Sequence, residues 1–89
     1  MHVSVAGELD LEGGDALEAA VAPILVPGGQ LFIDLSRVVF ADSSGLGALV
    51  AIERAALEAH ADLTLLQPSA RLRSILTLTG LTDYFRRIN

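Results

Sequence analysis

The sequence predicts a small α/β domain spanning residues 1–89, with helices packed against a mainly parallel sheet. Three observations carry that expectation. Strand-like and helix-like periods alternate three times along the 89 residues. The second strand segment, Leu31-Phe32-Ile33-Asp34-Leu35, is a nearly continuous apolar run, the pattern of a strand buried on both faces of a parallel sheet. Pro27-Gly28-Gly29, Pro68 and Gly80 punctuate the chain where such elements would end. Strand, helix, strand, helix, strand, helix is the order expected of parallel neighbours joined by right-handed crossovers.

Each element has its own warrant. Residues 2–9 alternate loosely and are rich in β-formers, which reads as a strand. Asp15 to Ala22 is helical, with Leu17, Val21, Ile24 and Leu25 on one stripe, until Pro27-Gly28-Gly29 stops it. After the strand at Leu31–Leu35, a second helix spans about 44–59 with Leu46, Leu49, Val50 and Leu57 on its apolar face. Leu63 to Leu66 forms a third strand, closed by Pro68. Ser69 then caps a third helix over Ala70–Leu78, and Gly80 ends it. The tail, Leu81 to Asn89, fits a short helix or a strand stub equally well.

Composition excludes several function classes. There is no cysteine, hence no disulfide, thiolate nucleophile or zinc knuckle. All six basic residues are arginine, so neither a P-loop nor a Schiff-base mechanism has its lysine. The longest stretch without charge, Ala19 to Ile33, is broken by Pro23, Pro27, Gly28 and Gly29, too short for a membrane span. No export signal opens the chain, which reads as cytoplasmic. The net charge of −5 argues against nucleic-acid binding. Residues 70–89 carry Arg71, Arg73, Arg86 and Arg87 against Asp83, read here as a solvated face with complementation of a helix C-terminus, or else as a partner-facing patch.

The segment richest in chemistry is Asp42-Ser43-Ser44-Gly45-Leu46-Gly47, placed between a strand and the first turn of a helix. In a parallel sheet this is the functional edge, and Gly7-Glu8-Leu9-Asp10 reaches the same edge. If the two strands are neighbours, Asp10 and Ser43 share one patch. A serine in such a turn resembles a nucleophile elbow, but no base reaches it. His60 lies at the far end of the same helix, about 25 Å away at ~1.5 Å per residue. His2 opens its strand about 23 Å from Leu9, at ~3.3 Å per residue. Asp10 and Asp42 could pair as acid and base or hold Mg²⁺, but without a phosphate cradle their expected role is capping. Neither a metal site nor a cofactor is expected. Gly45 and Gly47 allow close helix–sheet packing, tolerance in a first turn, or a helix start bare enough for another protein to approach.

Gly7-Glu8-Leu9-Asp10, Leu31 to Ser36, Phe40-Ala41-Asp42-Ser43-Ser44-Gly45-Leu46-Gly47 and Leu78-Thr79-Gly80-Leu81 together resemble the STAS domains of bacterial anti-sigma factor antagonists. The match runs in order over nearly the whole chain. It implies a STAS-like fold and a serine directly after the aspartate, Ser43, that is phosphorylated by a partner acting as both serine kinase and anti-sigma factor. Asp10, Asp42, Ser43, Ser44, Gly45, Leu46 and Gly47 would then form the partner-binding surface. Unmodified, such a protein binds the anti-sigma factor and frees a sigma factor for transcription. The family's additional N-terminal strand is missing before Gly7, which leaves a sheet edge that a second copy of the chain, as a homodimer, could cover, or else marks the sequence as a trimmed part of a longer protein. Two other roles compete with this one: an unphosphorylated STAS regulatory subunit of a transporter or lipid-trafficking complex, and a small hydrolase.

Overall fold

The computed structural model describes all 89 residues. The element order is β1 (His2–Leu9), α1 (Leu11–Val21), a 3₁₀ turn (Ala22–Ile24), β2 (Gln30–Ala41), α2 (Ser43–Ala59), β3 (Asp62–Leu66) and α3 (Ala70–Leu78). The three strands form one parallel sheet in the order β1-β2-β3. This is the α/β arrangement expected from the alternating periods. Eighteen buried apolar residues drawn from every strand and α-helix make one contiguous core, centred on Leu9, Ile33, Leu35, Leu49 and Leu65.

β2 has 12 residues rather than the five expected, because two bulges disguise its period. Ser4 pairs with Asp34 and Ala6 with Arg37; Gly7 pairs with Val38 and Glu8 with Phe40. Each shift inserts one extra residue in β2, so its inward positions run Leu31, Ile33, Leu35, Val38, Ala41. At the first bulge Asp34 Oδ1 accepts the Ser36 N–H at 2.9 Å, supplying an acceptor beside the interrupted ladder. That bond, with further contributions from the Ser36 side chain and Arg37, holds the Asp34 carboxyl below the usual carboxylate range.

The expectation that β2 is buried on both faces needs correction. Leu31, Ile33 and Leu35 are buried, while Phe32 and Asp34 are only half-buried and the neighbouring His2 and Ser4 are exposed. The reason is that α1 and α2 pack together on one side. A Cβ added at Gly14 would lie 2.7 Å from the Ala48 Cβ, which shows how closely the two helices cross.

Helix boundaries shift for identifiable reasons. α1 begins at Leu11, four residues before the expected Asp15, because Asp10 caps it despite Gly13 and Gly14 in the first turn. Ile24 and Leu25 fall beyond the helix, in and after the 3₁₀ turn, yet still pack against the core. On α2 the buried face is Leu46, Leu49, Ile52, Glu53 and Ala56, so Leu57 lies outside, 54% exposed. Glu53 occupies the inward position because its Oε1 accepts the Arg86 N–H at 3.0 Å.

The tail resolves as a strand stub. Ile88 bridges Leu65 in parallel, and Leu65 N–H donates to the Arg87 carbonyl while Asn89 N–H donates to that of Leu65, both at 2.9 Å. Phe85 is buried in the core beside this stub. Complementation of a helix C-terminus by the arginines does not hold: Arg71 and Arg73 stand in the first turns of α3, and no basic residue occupies its last turn. Both are exposed, and Arg87 pairs with Asp62 at 3.1 Å in a solvated ion pair worth little in stability. No helix is long and apolar enough to cross a membrane.

Candidate functional site

The carboxyl ends of β1 and β2 are held in register by Leu9 opposite Ala41, which sets Asp10 beside Asp42. The anticipated neighbourhood of Asp10 and Ser43 is therefore present. Both aspartates have extended backbone and cap the helix that follows: Asp10 Oδ1 accepts the Gly13 N–H and Asp42 Oδ1 the Gly45 N–H, each at 2.9 Å. Two parallel helix N-termini thus open side by side on one sheet edge. Asp42 N–H donates to the Leu9 carbonyl at 3.2 Å, tying the start of α2 to the end of β1.

Ser43 is the first residue of α2, and both Ser43 and Ser44 are exposed. The first intrahelical bond runs from Leu46 N–H to the Asp42 carbonyl, and Gly45 N–H is capped, while the amides of Ser43 and Ser44 have no protein acceptor. Two free donors at the positive end of a 17-residue helix can accommodate an anion on either serine. Neither hydroxyl makes a hydrogen bond to a basic side chain. His60 is the left-handed cap at the opposite end of α2, and His2 stacks on Phe32 at the other end of the sheet. A serine–histidine pair is thereby removed on geometry as well as on spacing.

The two glycines separate the readings that sequence left open. A Cβ on Gly45 would overlap the Leu9 carbonyl, so this position is bare because helix and strand touch there. At Gly47 nothing lies within 4 Å, and the residue faces solvent. Leu46 is buried in the core. Of the seven expected partner-binding residues, Gly45 and Leu46 therefore face inward and seat the helix; they cannot form the contact surface proper. Asp10, Asp42, Ser43, Ser44 and Gly47 remain at or near the surface.

A shallow groove beside Ser43 is lined by Asp10, Leu11, Glu12, Asp15 and Asp42. Glu12, Asp15 and Leu11 were not anticipated as part of the site. The signal that could have found them is the cap at Asp10: a helix begun there carries residues 11–15 in its first turns, beside Asp42. No cluster of three or more ligand-type side chains is arranged to hold a metal ion.

The family model described as "Mlab, STAS domain" matches residues 1–87. The chain belongs to the STAS domain family. Among curated relatives, this STAS domain is 32% identical over 83 residues to an anti-sigma-B factor antagonist of Bacillus subtilis (strain 168), covering 93% of this chain and 76% of that protein. It is 33% identical over 83 residues to an anti-sigma-B factor antagonist of Staphylococcus aureus (strain NCTC 8325 / PS 47), covering 92% and 77% respectively. Among solved structures, the unphosphorylated form of the anti-sigma factor antagonist SpoIIAA superposes with a TM-score of 0.76 at 23% identity, over 99% of this chain and 78% of that one. The phosphorylated form of the Bacillus cell fate determinant SpoIIAA gives 0.70 at 23% identity, over 99% and 81%. These likenesses bear out the STAS fold.

Proposed function

We propose that this chain is an anti-sigma factor antagonist, a cytoplasmic binding module rather than an enzyme, switched by phosphorylation of Ser43. Unmodified, it binds a serine-kinase anti-sigma factor and so releases a sigma factor for transcription. The observation that carries the reading is an exposed Ser43 at the start of α2, directly after the capping Asp42 and beside helix amides without a protein acceptor. The names of the two relatives at 32% and 33% identity supply the partner class. The whole chain acts as one domain in this account.

The physics of the switch follows from the site. A phosphate on Ser43 brings about −1.5 to −2 charges at pH 7. In the free protein it stands in water at a helix N-terminus, where its field is favourable. In a complex the same dianion loses its solvent on the acidic side of the domain, next to Asp42 and the groove that Asp42 lines with Asp10, Glu12 and Asp15. About 3 kcal/mol of that cost already weakens binding more than a hundredfold. Release comes from repulsion and desolvation, with the fold unchanged.

A purified kinase-type anti-sigma factor from the same genome, with ATP, tests the acceptor. One phosphate on wild type and none on Ser43→Ala is expected; modification persisting in the mutant overturns the assignment. A second reading keeps the domain without the switch, as a regulatory subunit of a transporter or lipid-trafficking complex. A pull-down with unmodified and Ser43→Asp protein separates the two: a kinase-like protein on the first bait alone supports the switch, and a transporter component on both supports the subunit.

A further inference from the structure

We infer that a second copy of this chain pairs with the open edge of β1, strand against strand and antiparallel, about a two-fold axis at Val5. Nothing in this pairing depends on the antagonist reading. β1 lies at one end of the sheet with β2 as its only neighbour. Phe32 N–H donates to the Met1 carbonyl and Asp42 N–H to that of Leu9, so the odd-numbered residues of β1 turn their backbone groups toward β2. The amides and carbonyls of His2, Ser4 and Ala6 therefore point away from the sheet, without a protein partner. Such a row is a template for another strand.

The residues of β1 favour its own copy as that strand. Two identical edges close into a dimer about a two-fold axis, which makes the strands antiparallel. An axis at Val5 sets Val5 opposite Val5, Ser4 opposite Ala6 and His2 opposite Glu8. Val5 is only half-buried at the open edge, although it packs against the core, and its copy would cover it on that side. On the other side the exposed His2 and Glu8 meet as imidazole against carboxylate, twice per dimer, and Ser4 and Ala6 are too small to clash. The central pairs exchange about four inter-strand hydrogen bonds. The ladder stops at Glu8, because Gly13 in the first turn of α1 lies against its carbonyl.

The helix above this edge leaves room for the copy. Gly14 meets Ala48 of α2, and the exposed Ala16 and Ala20 stand roughly 200–240° farther round α1 at about 3.6 residues per turn. The flank turned away from α2, above the open edge, thus carries only methyl groups at these positions. Because the paired strands run in opposite directions, the two Ser43 surfaces stand at opposite ends of the dimer and both stay open.

Sedimentation velocity of the full chain, from micromolar to millimolar concentration, provides the test. Wild type should pass from one chain mass to two across that range. Ser4→Pro should stay at one chain mass with an unchanged circular dichroism spectrum, since it removes an outward N–H while the ladder to β2 runs through the odd-numbered residues. The chain has no cysteine, so a single introduced one reports on register. With diamide as oxidant, Val5→Cys should form a covalent dimer, because cross-strand neighbours come within disulfide reach. Leu57→Cys, exposed near the far end of α2, should not. Wild type at one chain mass at every concentration overturns the proposal, as does a dimer that survives in folded Ser4→Pro. Cross-linking of Leu57→Cys as fast as Val5→Cys overturns it too, and that comparison decides alone if Ser4→Pro does not fold.

Discussion

The first turn of α2 has two sides. Inward, Gly45 and Leu46 press against β1 and the core; outward, Ser43, Ser44 and Gly47 are exposed. Six consecutive residues thus divide into a part that fixes where the helix starts and a part that the fold does not need. Asp42 belongs to both, since its carboxylate caps the helix and also lines the groove beside Ser43. A short motif can be legible as a unit while its residues act for different reasons. Only the contacts tell which glycine is obligatory.

The largest effect should come from the inward side. Gly45→Ala drives a methyl group into the Leu9 carbonyl, a backbone atom that cannot rotate away. A loss of about 3 kcal/mol or more is expected, enough to lower the melting temperature of a domain this size by more than about 10 °C. A mild shift would break the distinction between the two glycines. Asp42→Ala should cost about 1 kcal/mol as a lost cap, or about 4–8 °C by thermal melting. Gly47→Ala should do the opposite, raising stability by about 0.5–1 kcal/mol, because Ala is the better helix former and its methyl meets nothing. A destabilised Gly47→Ala would show that the outward side is packed after all.

The smallest effect lies outside the motif and serves as its control. The Asp34 carboxyl is held below its ordinary value by the Ser36 N–H, so its stabilising contribution is complete above the unfolded value of about 3.9. That contribution is lost as pH falls through the lower folded value. Asp34→Asn should flatten the stability curve in this acidic range and leave anti-sigma factor binding at pH 7 unchanged. Denaturant melts across pH 2–6 measure the first, and calorimetry the second.

Much of this was legible in the sequence. The order of elements followed from period and punctuation, and the Asp42-to-Gly47 segment was placed correctly between strand and helix. The full length of β2 is hidden because two bulges turn its alternation into Leu35, Val38, Ala41, and a fixed period of two cannot follow that. The start of α1 is hidden because Gly13-Gly14 looks unlike a helix; its cap and its crossing with Ala48 outweigh propensity. The choice between Leu57 and Glu53 on α2 depended on a partner 33 residues away, the Arg86 amide, which no local pattern reveals. The nearness of Leu11 to Asp42 is hidden for a similar reason, being a consequence of strand register.

The central claim is that phosphate on Ser43 acts at the interface and leaves the fold alone. Its most direct test compares the unmodified and Ser43-phosphorylated chains for affinity toward the purified anti-sigma factor and for melting temperature. The account predicts binding weakened more than a hundredfold with melting temperatures within a few degrees of each other. Equal affinities, or a loss of binding accompanied by a collapse in melting temperature, would contradict it.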